Sequence, residues 1–275
     1  MSLYIASINS GSNGNCYYVG NDKDAVLIDA GISCRETEKR MRKIGLSMNK
    51  VRAVFISHEH GDHIKGLESI STKYSLPVYI TSQTLKHSRL LLPKDLLQVF
   101  ETNVPVSIND LNITAFSKQH DAAEPHSFIV QGNEVTIGVF TDLGRVCENL
   151  IYHFKLCHAA FLEANYDTAM LERGRYPIHL KNRIRGGYGH LSNLQALELF
   201  AKHRPAHLSH LLLAHLSRDN NDPRLVSDLF NKYAEDVRIS IASRDEQSEV
   251  FHIVSGKHPV VQPIRKEVVR QATLF

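Results

Sequence analysis

Short apolar runs punctuated by Gly, Asn and Asp alternate along the chain with longer stretches in which apolar residues return every three or four positions. Tyr4 to Ile8, Cys16 to Val19 and Ala25 to Ile28 read as strands, with Ser10-Gly11-Ser12-Asn13-Gly14-Asn15 and Asn21-Asp22-Lys23-Asp24 as the turns between them. Ser33 with Glu36 predicts a capping box at a helix start, and Gly45 is placed to end that helix. Ala53 to Ile56 is apolar without a break, the pattern of a strand covered on both faces. Beyond it, Ile64, Leu67, Ile70 and Tyr74 recur at helical spacing.

The same reading continues to the end of the chain. Pro77 to Ile80 is a strand and Gln83 to Leu92 a helix. Strands run over Ile108 to Phe116, Phe128 to Val130 and Val135 to Phe140, with Gly132-Asn133 as a hairpin turn. Val146 to Phe154 reads as helix and Ala160 to Glu163 as strand. Ser192 with Gln195 predicts a second capping box, for a helix reaching Lys202. Leu211 to Leu213 is a buried strand, and Pro223 to Ala234 a helix with proline in its first turn. Val237 to Ala242 and Glu249 to Val254 complete the strands. The mixed order, with hairpins and no strict strand–helix–strand rhythm, predicts an α/β fold of two mixed sheets packed together with helices outside. No internal repeat or linker divides the chain. The expectation is one domain over residues 1–255 and a C-terminal tail over 256–275, with Tyr166 to Gly189 as a small insertion shaping a groove.

Composition adds little until the histidines are counted. A 43% hydrophobic and 22% charged chain is an ordinary globular one, and a net charge of +3 neither requires nor excludes a polyanionic partner. No apolar run spans a bilayer and no signal peptide opens the sequence, so no membrane association is expected. Cys16, Cys34, Cys147 and Cys157 are scattered, as reduced thiols in the cytoplasm would be. Sixteen histidines are the exception, because neutral imidazole is the commonest metal ligand.

Four of the most telling donors sit together in His58-Glu59-His60-Gly61-Asp62-His63, directly after the apolar strand. In an extended segment His58 and His60 point the same way and can grip one ion. Gly61 lets the chain turn, carrying Asp62 and His63 to a second position. Imidazoles with a carboxylate suit zinc, manganese or iron better than calcium or magnesium.

This hexapeptide resembles the defining motif of the metallo-β-lactamase superfamily, and the other signposts of that family follow in order. The resemblance implies an αββα sandwich and a hydrolase with two divalent metal ions. Asp29, in Leu27-Ile28-Asp29-Ala30-Gly31, matches the early aspartate that supports the site without ligating, although it also suits a turn cap. His120 matches the next histidine, with His126 as its rival. Asp142, in Phe140-Thr141-Asp142-Leu143-Gly144, matches the bridging aspartate. His215 matches the last ligand, with His207 and His210 as competitors, and it alone follows Leu211-Leu212-Leu213 at the carboxyl end of a strand. By this resemblance one metal takes His58, His60 and His120, the other Asp62, His63 and His215, with Asp142 between them. Antibiotic-hydrolysing relatives commonly carry Cys at position 142, and flavo-diiron oxidoreductases Glu at position 60. Asp142 and His60 therefore point to a phosphodiesterase or thioesterase.

Ser10 to Asn15, His120-Asp121-Ala122, and His215-Leu216-Ser217 followed by Asn220-Asn221 resemble the YycJ/WalJ-type branch, which is associated with nuclease activity. His190, in Gly189-His190-Leu191-Ser192-Asn193, resembles the additional histidine that ribonuclease Z and the β-CASP nucleases place over the scissile phosphate. Glu163 is its candidate acidic partner, or else pairs with a nearby Lys or Arg. Lys181, Arg183 and Arg185 are candidate backbone contacts for nucleic acid, unless they are solvated surface. Ser12 and Asn13 sit in a turn whose amides suit a phosphate. The expected chemistry is hydroxide attack on a phosphodiester between two cations, with Asp62 orienting the nucleophile and His190 assisting. DNA is favoured over RNA, with 5′-to-3′ exonuclease action. The alternatives are a small-molecule cyclic phosphodiesterase and a thioester hydrolase like glyoxalase II.

Overall fold

The structure is a computed structural model that describes residues 2–256. Apart from Gly256, the tail expected over 256–275 lies outside the described residues. The first sheet has the order β14-β1-β2-β3-β4-β5-β6. Its strands are β1 Ser2–Asn9, β2 Cys16–Gly20, β3 Ala25–Ile28, β4 Val51–Phe55, β5 Val78–Tyr79, β6 Leu97–Gln98 and β14 Phe251–Val254. The second sheet has the order β13-β12-β11-β10-β9-β8-β7. It comprises β7 Val106–Ile108, β8 Leu111–Ser117, β9 His126–Gly132, β10 Val135–Phe140, β11 Ala159–Glu163, β12 His210–Ala214 and β13 Arg238–Ile241. Each sheet is antiparallel in one half and parallel in the other: β3 to β6 run parallel, and so do β10 to β13.

Alternation along the strands builds the layers. Ala53 and Phe55 of β4 face the core between the sheets, while Val54 and the following Ile56 face the helices outside. Leu212 and Ala214 of β12 face the inter-sheet core, and Leu211 and Leu213 the opposite side. Both unbroken apolar runs are thus strands covered on both faces, and each buried Leu or Phe contributes about 1.5–3 kcal/mol. Helices α1 Cys34–Lys43, α2 Gly61–Ile64, α3 Leu67–Tyr74 and α4 Ser82–Ser88 belong to the first half. Helices α5 Glu148–Phe154, α6 Thr168–Arg173, α7 Ile178–Arg185, α8 Asn193–His203 and α9 Pro223–Asn231 belong to the second. Met41, Leu67 and Ile70 close the outer core of the first sheet; Phe154, Phe200 and Phe230 close that of the second. The chain forms the α/β sandwich of two mixed sheets with helices outside. No helix among the described residues is long and apolar enough to cross a membrane.

Several local details differ from the sequence reading. Ser192 and Gln195 form the full reciprocal capping box. Ser33 only accepts from Glu36 N, because the Glu36 carboxylate turns to Arg40 instead. The helix expected to reach Leu92 stops at Ser88, where Arg89 enters the left-handed region at φ 57°. The strand read over Ile108 to Phe116 is broken by Asn109, at φ 52°, into β7 and β8. The next hairpin turns on Asn133-Glu134 (φ 54° and 64°), one residue later than expected, since Gly132 still pairs with Val135.

Topology places the site. Parallel strands bring their carboxyl ends to one edge, where open α/β sheets hold their ligands. Asp29 follows β3, His58 follows β4, Asp142 follows β10, Glu163 ends β11 and His215 follows β12.

Candidate metal centre

Three of these strand-end residues leave their strands in the left-handed conformation: Asp29 at φ 61°, Asp142 at 54° and His215 at 56°. Such a φ is uncommon outside glycine and reverses the chain within one residue. Asp142 and His215 thereby enter the ligand groups at the gap between the sheets' edges.

Two ligand groups form there, with donor atoms within 4.8 Å of one another: His58, His60 and His120, and Asp62, His63 and His215. The His58 and His60 rings converge, Nε2 to Nδ1, at 3.1 Å. Asp142 stands between the groups, its Oδ2 3.2 Å from His63 Nε2 and its Oδ1 3.8 Å from His120 Nε2 and 3.6 Å from His215 Nδ1. Asp29 does not face the gap. It accepts from Ser57 N and Oγ at 2.8 Å and from His63 Nδ1 at 2.7 Å, which leaves His63 Nε2 for the centre. His120 is oriented the same way, with Nδ1 donating to Gly189 O at 3.0 Å.

The donor set fits divalent cations. His120 Nε2, Asp142 Oδ2 and His215 Nε2 are buried with no hydrogen-bond partner among the described residues, and all three belong to the ligand groups. Buried polar atoms are seldom left so. The carboxylates around the imidazoles favour positive charge there. Burial opposes it, but Asp142, Asp29 and Asp62 raise His63 to about 10, and His215 is also raised, chiefly by Asp142 against burial. Burial holds His58 well below its ordinary value and His120 at about 4, as ligand imidazoles require. The rival histidines are otherwise engaged. His126 spends both ring nitrogens on Glu124 O and Thr102 Oγ1, His210 opens β12 at the far end from His215, and His207 lies against His158 in a tilted pair.

In comparison with known proteins, the model of the beta-lactamase superfamily domain matches residues 24–215. The chain belongs to the β-lactamase superfamily. It is 37% identical over 224 residues to "Exodeoxyribonuclease YycJ" of Bacillus anthracis, covering 80% of this chain and 85% of that one. It is 31% identical over 217 residues to "Exodeoxyribonuclease WalJ" of Streptococcus pneumoniae, covering 77% and 81%. Among solved structures, the metallo-β-lactamase fold protein YhfI of Bacillus subtilis superposes with a TM-score of 0.70 at 16% identity, over 92% of this chain and 100% of that one.

Around this β-lactamase superfamily centre, Glu163 does more than its place in the sequence indicates. It is fully buried and, among the described residues, pairs with His190 and His215 rather than with a Lys or Arg. Oε1 accepts from His190 Nδ1 at 2.8 Å and lies 3.1 Å from His215 Nδ1; Oε2 accepts from Leu143 N at 2.7 Å and Leu191 N at 3.1 Å. Burial raises its pKa, but His190 and His215 outweigh this and hold it at about 2. One carboxylate therefore ties together His190, His215 and the turn after Asp142.

The donors open on a cleft of about 320 Å³ whose walls include Ser12, Asp121, Tyr176, Arg183 and His190. Of the other candidate substrate contacts, Lys181 donates to Glu172 O, Arg185 pairs with the Glu172 carboxylate, and neither lines the cleft. Asn13 donates to Arg244 O at 2.8 Å. The Ser10 to Asn15 turn braces the ligands, with the amides of Gly11 and Asn15 engaged by the protein. Gly11 N donates to Asn15 Oδ1, and Asn15 N to Asp62 O. Ser10 Oγ accepts from His215 N at 2.8 Å, and Asn15 Nδ2 lies 3.0 Å from His63 Nε2. Gly61 also needs correction: it opens α2 without a positive φ, and a Cβ there would meet nothing within 4 Å.

Two residues escaped the sequence reading. Glu59, inside the hexapeptide, accepts from Ala123 N at 2.7 Å and anchors the loop after His120. Lys118 is buried and donates to Thr141 O at 2.6 Å; burial lowers its pKa against the pull of Asp142 and Asp29. Nothing in the local sequence separates this lysine from a surface one.

Proposed function

We propose that the protein is a metal-dependent nuclease, an exodeoxyribonuclease that shortens a DNA strand from its 5′ end. The observation that carries this reading is His190, held at Nδ1 by buried Glu163 and facing the same cleft as both ligand groups. A thioesterase has no evident use for a further imidazole fixed above its ligands. The exodeoxyribonucleases YycJ and WalJ, similar over most of both chains, support the same class.

In this reading His58, His60 and His120 would hold one divalent cation and Asp62, His63 and His215 a second, with Asp142 placed between the two groups. Zinc, manganese and iron all accept such donors. Cations bound there lower the pKa of water and neutralise charge on phosphate oxygens. The chain's own residues do the rest. Asp29 fixes the His63 ring, and Asp62 accepts a hydrogen bond from the attacking water and aligns it. His190, its Nδ1–H committed to Glu163, turns Nε2 to the cleft and in its doubly protonated form donates to the leaving oxygen. Residues 1–255 act as one domain, in the cytoplasm, consistent with four free thiols.

The test is elemental analysis of the purified protein together with digestion of end-labelled single-stranded DNA and RNA, bis-p-nitrophenyl phosphate and lactoylglutathione, each with manganese or zinc. We expect two cations per chain and release of mononucleotides from the 5′ end of DNA. Hydrolysis of the thioester alone overturns the reading, and hydrolysis of bis-p-nitrophenyl phosphate alone reduces it to a small-molecule phosphodiesterase.

A further inference from the structure

Among the described residues lining the cleft, Arg183 is the one Lys or Arg side chain. It is already occupied. Nε and Nη2 both lie 2.5 Å from Asp121 Oδ2, while Asp121 Oδ1 sits 3.4 Å from His120 Nε2. The pair links the exposed helix α7 to the loop that carries His120. A phosphate entering beside the ligand groups competes with the Asp121 carboxylate for the Nε and Nη2 edge of this guanidinium, the fork that binds an oxyanion, while the rest of the side chain is 62% exposed.

That exchange discriminates between anions. An internal phosphodiester carries one negative charge, as the carboxylate does, so replacing one with the other gains little. A terminal phosphomonoester carries about −1.5 to −2 at neutral pH, because its second pKa is about 6, and it presents three strong acceptor oxygens. Guanidinium binds such a group in a fork, and charge-assisted bonds to the richer anion are stronger. The displaced Asp121 has somewhere to go, since its side chain is 28% exposed.

We infer that the Asp121–Arg183 pair is a specificity device: Asp121 masks Arg183 from internal phosphodiesters and yields it to a chain-terminal phosphomonoester. The inference rests on the nuclease reading and deepens it, because an exonuclease must tell an end from an interior. Asp121 is the specificity-determining residue, through its hold on Arg183.

Isothermal titration of the metal-loaded protein tests this without requiring turnover. The probes are thymidine 5′-monophosphate, thymidine 3′-monophosphate and a thymidine dinucleotide joined by a phosphorothioate diester. The wild type is expected to bind at least one monophosphate about tenfold more tightly than the diester, a difference on the scale of one charge-assisted pair. The favoured isomer identifies the end that is read. Asp121→Asn should tighten the diester more than the monophosphate and shrink the preference to about threefold or less. Arg183→Met should abolish the preference, and the double variant should behave as Arg183→Met does. Metal content by elemental analysis should stay constant throughout. A preference that survives Arg183→Met, or one that Asp121→Asn leaves unchanged, overturns the inference. A protein that shows this binding pattern yet cuts no DNA sinks the nuclease reading alone.

Discussion

Asp29 Oδ2 accepts a hydrogen bond from His63 Nδ1 at 2.7 Å with both side chains wholly buried, so the tautomer and tilt of a ligand on α2 are set by the residue that follows β3. Asparagine tolerates the left-handed backbone that Asp29 adopts, so Asp29→Asn isolates the carboxylate from the turn. We expect metal affinity to fall about 10–100-fold, the usual effect of removing such a partner. Competition with a chromophoric chelator measures it. Unchanged affinity would reduce Asp29 to a turn former.

Glu163 and His190 separate chemistry from ligation. His190→Ala should keep its metal and lose about 10²–10⁴ in phosphodiester turnover, the range for a general acid or base. Glu163→Gln should lower both metal content and turnover, because the same carboxylate also holds His215 and the Leu143 amide. A His190 variant that loses its metal would make that residue a ligand.

Two glycines of the site differ sharply. A Cβ on Gly31 would lie 1.7 Å from Asp62 O and 2.5 Å from Asn15 N, both backbone atoms that cannot give way. Gly31→Ala should cost about 3 kcal/mol or more, as severe overpacking does, and disturb the Asp62 ligand group with it. Gly61→Ala, inside the hexapeptide itself, meets nothing within 4 Å and should fold and bind metal as the wild type does. Urea denaturation and metal analysis of the two variants check the contrast.

His210 provides a pH prediction remote from the metal centre. Burial, helped by Arg238, lowers its pKa from 6.5 to about 4. A histidine depressed in the folded state binds its proton more readily when unfolded. Its stabilising contribution is therefore complete above pH 6.5 and lost as pH falls towards 4, with a limiting slope of about 1.4 kcal/mol per unit. His210→Phe should flatten the stability–pH curve in that window, as measured by urea midpoints. An unaltered slope would assign the acid sensitivity to other groups.

The sequence disclosed those parts of the protein whose signals are local. His58 to His63 lies within six residues, and Asp142 and His215 each follow an apolar strand at once, so strand ends and donors could be read together. The Ser10 to Asn15 turn reads in the segment alone as a place for a phosphate, and the contacts by which it braces Asp62, His63 and His215 are invisible there. Lys118 is buried against Thr141 O, a partner 23 residues away that no neighbouring residue announces. Helices α6 and α7 were missed for a complementary reason. α6 buries only Leu171 and α7 buries no residue, so neither shows the periodic apolar stripe by which helices are recognised.

That absence of buried residues in α7 has a consequence for the molecule's adaptability. A wall secured by rim ion pairs such as Arg183–Asp121, rather than rooted in either hydrophobic layer, can be exchanged or reshaped with little disturbance to the strand ends beneath it. Grafting a different segment between Tyr166 and Gly189 should redirect which molecules gain entry while the hydrolytic machinery below stays the same.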